Sequence, residues 1–316
     1  PWATLFQPAI TLAEQGFKLS PRLHTQLKTE TALKNDAQAR TYFYGADGEP
    51  LAVGTVVKNP ALADVLRGIA SRGSAALLSG PVAADIVKRV RGHATNPGRL
   101  TEADLAGYTP KRRESICTVW KVTVRVCGFP PPSSGHIAVM QILGVLERSA
   151  PPAQALADKA PSADWLHAYT EAARLAYADR AQYIADPDFV PAPAGRWTSL
   201  LDDAYLKQRA SLIGAQSMGT AKPGVPAGAS SAFAPQMQQS ESGTSHISIV
   251  DAQGRALAMT TTIEDVFGAR LMSDGGSGKP GGFLLNNELT DFSFAPADAS
   301  GLAVANRVQP NKRPRS

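Results

Sequence analysis

An abrupt change of character at Gly243-Thr244 constrains this chain more than any other feature. Residues 215–243 are mainly Ala, Gly, Ser, Pro and Gln, with one Lys and one Glu. Such a stretch has little to bury and reads as a mobile linker. Thr244-Ser245-His246-Ile247-Ser248-Ile249-Val250 then alternates, Asp251-Ala252-Gln253-Gly254 is a turn, and Arg255 to Ile263 returns as a second strand. A period of two on both sides of a turn signals a hairpin.

A Thr that opens a strand directly after a cleavable linker is a candidate N-terminal nucleophile. Its hydroxyl is weakly acidic and needs a base. If the preceding peptide bond is broken, the freed α-amine, with a pKa of about 7.7 to 8.0, lies on the same residue and can take the proton. An ordinary strand threonine satisfies the same local pattern, so the pattern by itself leaves both roles open.

The 316 residues suffice for one large or two modest domains with a buried core. With 43% hydrophobic and 19% charged residues, the balance is globular and excludes disorder. No apolar run is long enough to span a membrane. The net charge of +5 is scattered, and its one dense cluster, Lys312, Arg313 and Arg315, is short and terminal. This argues against a nucleic-acid or membrane partner. The chain opens at Pro1 without Met and closes on Pro310-Asn311-Lys312-Arg313-Pro314-Arg315-Ser316, which reads as a piece of a longer protein.

Residues up to about Ala106 read as helical. Ile10, Leu12, Ala13 and Phe17 begin one amphipathic pattern, and Asn59-Pro60 with Leu62, Val65, Leu66 and Ile69 begins another. Ala83 to Val90 and Ala103 to Tyr108 add short helices, with Thr101 and Asp104 arranged for capping. Ile116 to Val126 is extended, and Ile137 to Leu146 is a strongly apolar helix. Ser162 to Ala185 is a long helix, with Trp165, Tyr169, Ala172, Ala173, Ala176, Tyr177 and Ile184 on one face.

Two cysteines make neither a cysteine framework nor a four-ligand zinc site. Cys117 and Cys127 flank an alternating run; as one straight strand it would hold them about 33 Å apart, whereas a disulfide needs Cα atoms within about 7 Å. They pair only if the chain reverses between them, so buried thiols and a hairpin disulfide both stay open. The five histidines have no i, i+4 pair, and no metal is expected. Ser133, Ser134 and His136 lack the G-x-S-x-G elbow and read as a turn. The glycine-rich run from Gly275 to Gly282 has Pro280 where a phosphate loop needs Ser or Thr, and reads as a flexible loop. Glu264, Glu288 and Asp291 follow the hairpin closely and could anchor a substrate ammonium; solvated loop carboxylates are the plainer reading.

These pieces, taken in order, resemble a known family. Thr244 to Asp251, Thr260-Thr261-Thr262, Phe267-Gly268, Leu284-Leu285-Asn286-Asn287-Glu288 and Asp291-Phe292-Ser293 resemble the start of the small subunit of gamma-glutamyltranspeptidases (glutathione hydrolases). Pro1-Trp2 with Leu5 to Ile10, Pro130 to Gly135, and Ala176-Tyr177-Ala178-Asp179-Arg180 with Asp186-Pro187-Asp188-Phe189-Val190 resemble the large subunit. The resemblance implies an α+β fold, a four-layer αββα sandwich of the N-terminal-nucleophile hydrolase type, incomplete in this fragment. It divides the chain into a large-subunit portion (1–214), a linker (215–243) ending at the self-cleavage site Gly243-Thr244, and the start of a small subunit (244–316).

The resemblance further implies that Thr244 first cuts its own chain and then takes the γ-glutamyl group from glutathione and related compounds, passing it to water or to an amino-acid or peptide acceptor. Thr262 would support the nucleophile, Glu288 and Asp291 would hold the donor's α-amino group, and Ser316 its α-carboxylate. No cofactor is implied; the partners are the small-molecule substrates and the precursor's two subunits. A periplasmic or extracellular location is implied by the exported members, and with it a Cys117–Cys127 hairpin disulfide. Glu264 stands where the family usually has Asn and is placed at the donor site. The stretch from Ala295 to Gln309 has no aromatic residue for a lid, and Gly135 is followed by His136 instead of a second Gly. The family's carboxylate-binding Arg is expected before Pro1, and its second serine and oxyanion glycines after Ser316. An acylase acting on glutaryl-type amides and a non-processing ligand-binding homologue are the alternatives.

Overall fold

The computed structural model describes residues 1–149, 155–230, 232–239 and 243–316. Of the expected linker, Ser231 and residues 240–242 lie outside the described residues. The chain forms two compact units, one of Pro1–Pro110 with Ser242–Glu288, the other of Lys111–Glu241 with Leu289–Ser316. Each unit therefore combines sequence from before and after Gly243.

The first unit begins with α1 (Gln7–Gln15), which carries Pro in its first turn. The amphipathic pattern had run on to Phe17, but Gly16 turns the backbone to φ 91° and ends the helix. Phe17 enters β1 (Phe17–Lys18), which pairs antiparallel with β2 (Val56–Val57). Between them lie α2 (Pro21–Thr29) and α3 (Ala37–Phe43), capped by the Ser20 and Asp36 side chains. In α4 (Pro60–Arg72) the Asn59 side chain accepts the Leu62 amide, the expected start. After α5 (Ala75–Leu78) and α6 (Pro81–Arg91), α7 (Glu102–Ala106) opens on the reciprocal Thr101–Asp104 capping box.

The second unit corrects the reading of Ile116 to Val126 as one extended run. β3 (Ile116–Trp120) turns back into antiparallel β4 (Val124–Gly128), with Lys121 and Val122 at φ 48° and 64°. The three-residue loop Lys121-Val122-Thr123 reverses the chain through these two left-handed residues, and the Thr123 amide donates back to the Lys121 carbonyl at 2.7 Å. Cys117 thereby sits opposite Cys127, and the two form a disulfide, Cα–Cα 4.1 Å. α8 (Gly135–Arg148) follows, then β5 (Leu156–Ala157) paired with β6 (Ala160–Pro161), α9 (Ala163–Tyr183) and α10 (Asp203–Ala210). Ile142 and Val145 of α8, Ala172, Leu175 and Ala176 of α9 and Leu206 of α10 share one core. The buried stripe of α9 is rotated from the expected face. It runs through Ala168, Ala172, Leu175, Ala176, Asp179 and Tyr183, while Tyr169 and Tyr177 face solvent.

Asp179 explains that rotation. It is fully buried and takes hydrogen bonds from Gln141 Nε2 (2.8 Å), Tyr205 OH (2.7 Å) and the Gly224 amide (2.8 Å), with Arg209 Nη2 at 3.1 Å. Burial, with the Asp179 carboxylate beside it, raises the Tyr205 phenol far above its usual range and keeps it a proton donor. The same cluster holds the segment whose composition predicted little burial. Arg209 also donates to the Lys222 carbonyl, Tyr183 OH to the Gly224 carbonyl, and the Gln236 amide to the Ala181 carbonyl. Pro226, Ala234 and Gln236 are buried. Backbone groups, which composition does not report, make most of these bonds.

Returning to the first unit, β7 (Ser245–Val250) and β8 (Ala256–Thr261) form the expected hairpin in the register Ser245↔Thr261 to Val250↔Ala256. Asp251 closes it, accepting the Gln253 and Arg255 amides, and the Arg255 contacts hold its carboxyl below the usual range. Both strands are exposed along their whole length. β9 (Met272–Ser273) and β10 (Phe283–Leu284) bracket the glycine-rich loop, and among the described residues no α-helix follows it. Phe267 and Met272 pack with Leu19, Leu27, Leu33 and Phe43, and Phe283 and Leu285 pack against Val65, Val82 and Ile86. Helices with antiparallel strand pairs make the chain α+β, and among the described residues every sheet has two strands. No helix of the described residues is long and apolar enough to cross a membrane.

The disulfide closes a loop with a sequence separation of 10. Chain-entropy reasoning gives such a closure a contribution of about 2–3 kcal/mol. Thiol titration of denatured, unreduced protein should find no free thiol, and Cys117→Ala/Cys127→Ala should lose that stability in urea; two titratable thiols would contradict the pairing.

Candidate active site

The hairpin register sets the site. Ser245 pairs with Thr261, so one step beyond the ladder Thr244 lies opposite Thr262. Both hydroxyls converge on one atom: Thr244 Oγ1 donates to the Gly243 carbonyl oxygen at 2.7 Å, and Thr262 Oγ1 donates to the same oxygen at 2.9 Å. The Glu264 amide donates to Thr262 Oγ1 at 2.8 Å. Thr262 is thus the middle of a chain running from the Glu264 amide through its hydroxyl to the Gly243 carbonyl, in which each bond polarises the next.

Gly243 itself is shaped for this position. Its φ of 73° is in the left-handed region, and a Cβ there would stand 2.8 Å from the Glu264 carbonyl oxygen. Glu264 also has positive φ, 73°, and is buried to 9% exposure. A glutamate seldom takes that conformation, which costs free energy that the surroundings must offset. Asn287 supplies the offset. Its Nδ2 donates to Glu264 Oε2, its Oδ1 accepts the Asp265 amide at 2.9 Å, and its own amide donates to the Ile263 carbonyl at 3.2 Å. Asp265 continues to Arg270 (2.6 Å), which also meets Glu30 (3.0 Å).

The structure thus joins Gly243, Thr244, Thr262 and Glu264 in one hydrogen-bonded group and adds Asn287, which sequence reasoning quoted within a motif without giving it a role. The doubled Asn286-Asn287 directly before Glu288 was the available signal. Glu288 opens a 3-10 turn that ends at Asp291, and its amide donates to Asn286 Oδ1 at 3.0 Å. Asp291 and Ser316 belong to the second unit. There the Asp291 carbonyl accepts Asn306 Nδ2 at 2.7 Å, and Ser316 is bonded to the Pro132–Ser134 turn. Ser134 Oγ donates to the Ser316 carbonyl at 2.7 Å. Burial lowers the His136 imidazole.

The family model for gamma-glutamyltranspeptidase matches residues 1–316. The chain belongs to the gamma-glutamyltranspeptidase family. It is 36% identical to the glutathione hydrolase proenzyme of Escherichia coli, covering 100% of this chain and 51% of that protein. Identity with the Pseudomonas aeruginosa glutathione hydrolase proenzyme is 33%, covering 99% and 52%. An acylase ACY 1 proenzyme of a Pseudomonas species is 31% identical over 98% of this chain and 50% of its own length. The chain spans about half the length of the curated relatives it matches. Among solved structures, the Helicobacter pylori gamma-glutamyltranspeptidase superposes with a TM-score of 0.60 at 30% identity, covering 71% of this chain and 62% of that one. Cephalosporin acylase from Bacillus halodurans shares the fold, TM-score 0.76 at 24% identity, over 99% and 52%. The fold is accordingly that of the N-terminal-nucleophile transpeptidases and acylases.

A carbonyl flanked by two hydroxyl donors loses one of them in Thr262→Val, which keeps the side chain's shape. If Gly243-Thr244 is the self-cleavage bond, this change should slow its scission in the full-length protein by roughly tenfold, less than the about 10²–10³ of a donor shielded from water, because this site is open to water. A time course of precursor on a denaturing gel measures it, and an unchanged rate would remove Thr262 from that step.

Proposed function

We propose that this chain is part of a self-processing γ-glutamyl hydrolase and transferase with Thr244 as nucleophile. The observation that carries this reading is the convergence of the Thr244 and Thr262 hydroxyls on the Gly243 carbonyl. In the first stage Thr244 Oγ1 adds to the Gly243 carbonyl carbon, and Thr262 donates to the oxygen as it gains charge. The carbon–nitrogen bond to Thr244 breaks, the nitrogen takes the hydroxyl proton, and an ester remains. Water hydrolyses the ester, leaving a carboxylate on Gly243 and a free α-amine on Thr244. Residues 1–214 then belong to the large subunit, 215–243 form its processing segment, and 244–316 begin the small subunit.

In the second stage the α-amine accepts the proton of its own hydroxyl, which adds to the γ-amide carbon of glutathione or a related donor. The carbon–nitrogen bond breaks, the amine of cysteinylglycine leaves with that proton, and a γ-glutamyl ester of Thr244 remains for water or an amino-acid acceptor. Glu288 and Asp291 hold the donor's α-ammonium and Ser316 its α-carboxylate, assignments that rest on the motif resemblance. Glu264 stands where the family usually has Asn, a charge that either tightens the grip on an ammonium or repels a carboxylate; its own carboxylate accepts Asn287 Nδ2. Carboxylates favour a donor with an α-ammonium over a glutaryl group, which has none, so the γ-glutamyl reading stands ahead of the acylase alternative. The Cys117–Cys127 disulfide supports an oxidising, periplasmic or extracellular location.

Full-length protein should yield a subunit whose mass begins at Thr244, while Thr244→Ala stays in one piece. The mature enzyme should turn over γ-glutamyl-p-nitroanilide. A wild-type chain that is neither cut nor active on the anilide would overturn the reading. Because the base is an α-amine of pKa about 7.7 to 8.0, it works only unprotonated: kcat/KM should rise about tenfold per pH unit below that value and level off above it. A profile flat from pH 6 to 9 would point to another base.

A further inference from the structure

The stretch from Asp291 to Ser316 carries two candidate donor contacts at its ends, and one buried side chain ties those ends together. Asn306 is 1% exposed. Its Nδ2 donates to the Asp291 carbonyl at 2.7 Å and to Gln236 Oε1 at 3.0 Å, and its Oδ1 accepts the Arg315 amide at 3.0 Å. Its carbonyl accepts the Ser293 amide at 3.0 Å. One planar amide thus fixes the backbone on either side of the excursion, next to Asp291 at one end and Ser316 at the other.

Ser316 is held from a second direction. Its amide donates to the Pro132 carbonyl at 3.2 Å, and its carbonyl accepts both the Ser134 amide and the Ser134 hydroxyl, each at 2.7 Å. Arg180 Nε donates to Ser134 Oγ at 2.8 Å, which orients that hydroxyl toward Ser316. Three residues earlier the Arg313 amide is taken by the buried Asp186 carboxylate at 2.8 Å. Irregular backbone of this kind is mobile unless tied down. Here the ties concentrate on the residues next to the two candidate contacts, and none of these side chains figures in the acyl-transfer steps above.

We propose that Asn306 and Ser134 are positioning residues that hold Asp291 and Ser316 at a fixed spacing, matched to a donor carrying an ammonium and a carboxylate on the same carbon. This rests on the γ-glutamyl reading of the site. Recognising two charges at once gains affinity only when both contacts are already in place, since otherwise the ligand must order them. A ligand with one of the two charges meets one contact and is indifferent to the spacing.

The test uses full-length, processed enzyme and competitive inhibition of γ-glutamyl-p-nitroanilide turnover by L-glutamate, which has both charges, and by glutarate, which lacks the ammonium. Asn306→Ala should raise the Ki of L-glutamate about tenfold while the Ki of glutarate stays within about twofold. Ser134→Ala keeps the backbone bond to Ser316 and should move the same ratio by about two- to threefold; it decides the matter if Asn306→Ala fails to fold. A merely structural loss lowers the active fraction without separating the two inhibitors. If both Ki values move together, or neither moves, the positioning role is overturned while the enzyme reading stands. If wild type does not turn over the anilide, the reading fails and the positioning role with it.

Discussion

The structure turns on a single peptide carbonyl. Gly243 presents its oxygen to the hydroxyls of Thr244 and Thr262 because three constraints meet there: a backbone φ open to glycine, a hairpin register that sets Thr262 opposite Thr244, and the Glu264 amide that orients the Thr262 hydroxyl. Remove the register and Thr262 loses its target. Replace the glycine and the added Cβ strikes the Glu264 carbonyl. Asn287 then braces Glu264 in a conformation that a glutamate seldom adopts.

That a bond could be cut here without the chain coming apart follows from how each unit is built. In the first, the Asn59 side chain exchanges two hydrogen bonds with the Gly282 backbone, at 2.7 and 2.8 Å, and Phe267 and Met272 complete a core begun by Leu19, Leu27 and Leu33. In the second, the Ala234 amide donates to the Ala303 carbonyl and Asp186 takes the Arg313 amide. Each fully buried apolar side chain in such a core contributes about 1.5–3 kcal/mol. Several on either side of Gly243 hold the pieces together with no need of the peptide link.

How much of this was legible in the sequence depended on how local its cause was. The Asn59 and Thr101 caps and the Thr244 hairpin were readable because the deciding contacts lie within a few residues. The residues alone left the reversal at Lys121-Val122 open, since neither is a usual choice for positive φ, whereas the family resemblance implied the Cys117–Cys127 hairpin disulfide that the structure holds. The face of α9 was misjudged because apolar periodicity gave weight to Tyr169 and Tyr177, whereas the buried stripe centres on Asp179 and its polar partners. The grip on residues 222–236 runs through backbone amides and carbonyls, to which composition is blind. Of the hydrogen-bonded group, Thr244 and Glu264 stood out by type and position and Thr262 through the family resemblance, while the bonds of Asn287 and Asn306 emerged only from geometry.

The most direct test of the central claim is to trap the acyl-enzyme. Processed full-length protein would be mixed with γ-glutamyl-p-nitroanilide, quenched in acid within the first turnover, digested and examined by mass spectrometry. The account predicts a γ-glutamyl adduct on the peptide that begins at Thr244, on its hydroxyl and labile to hydroxylamine. An adduct on any other residue, or steady turnover with none on that peptide, would contradict it.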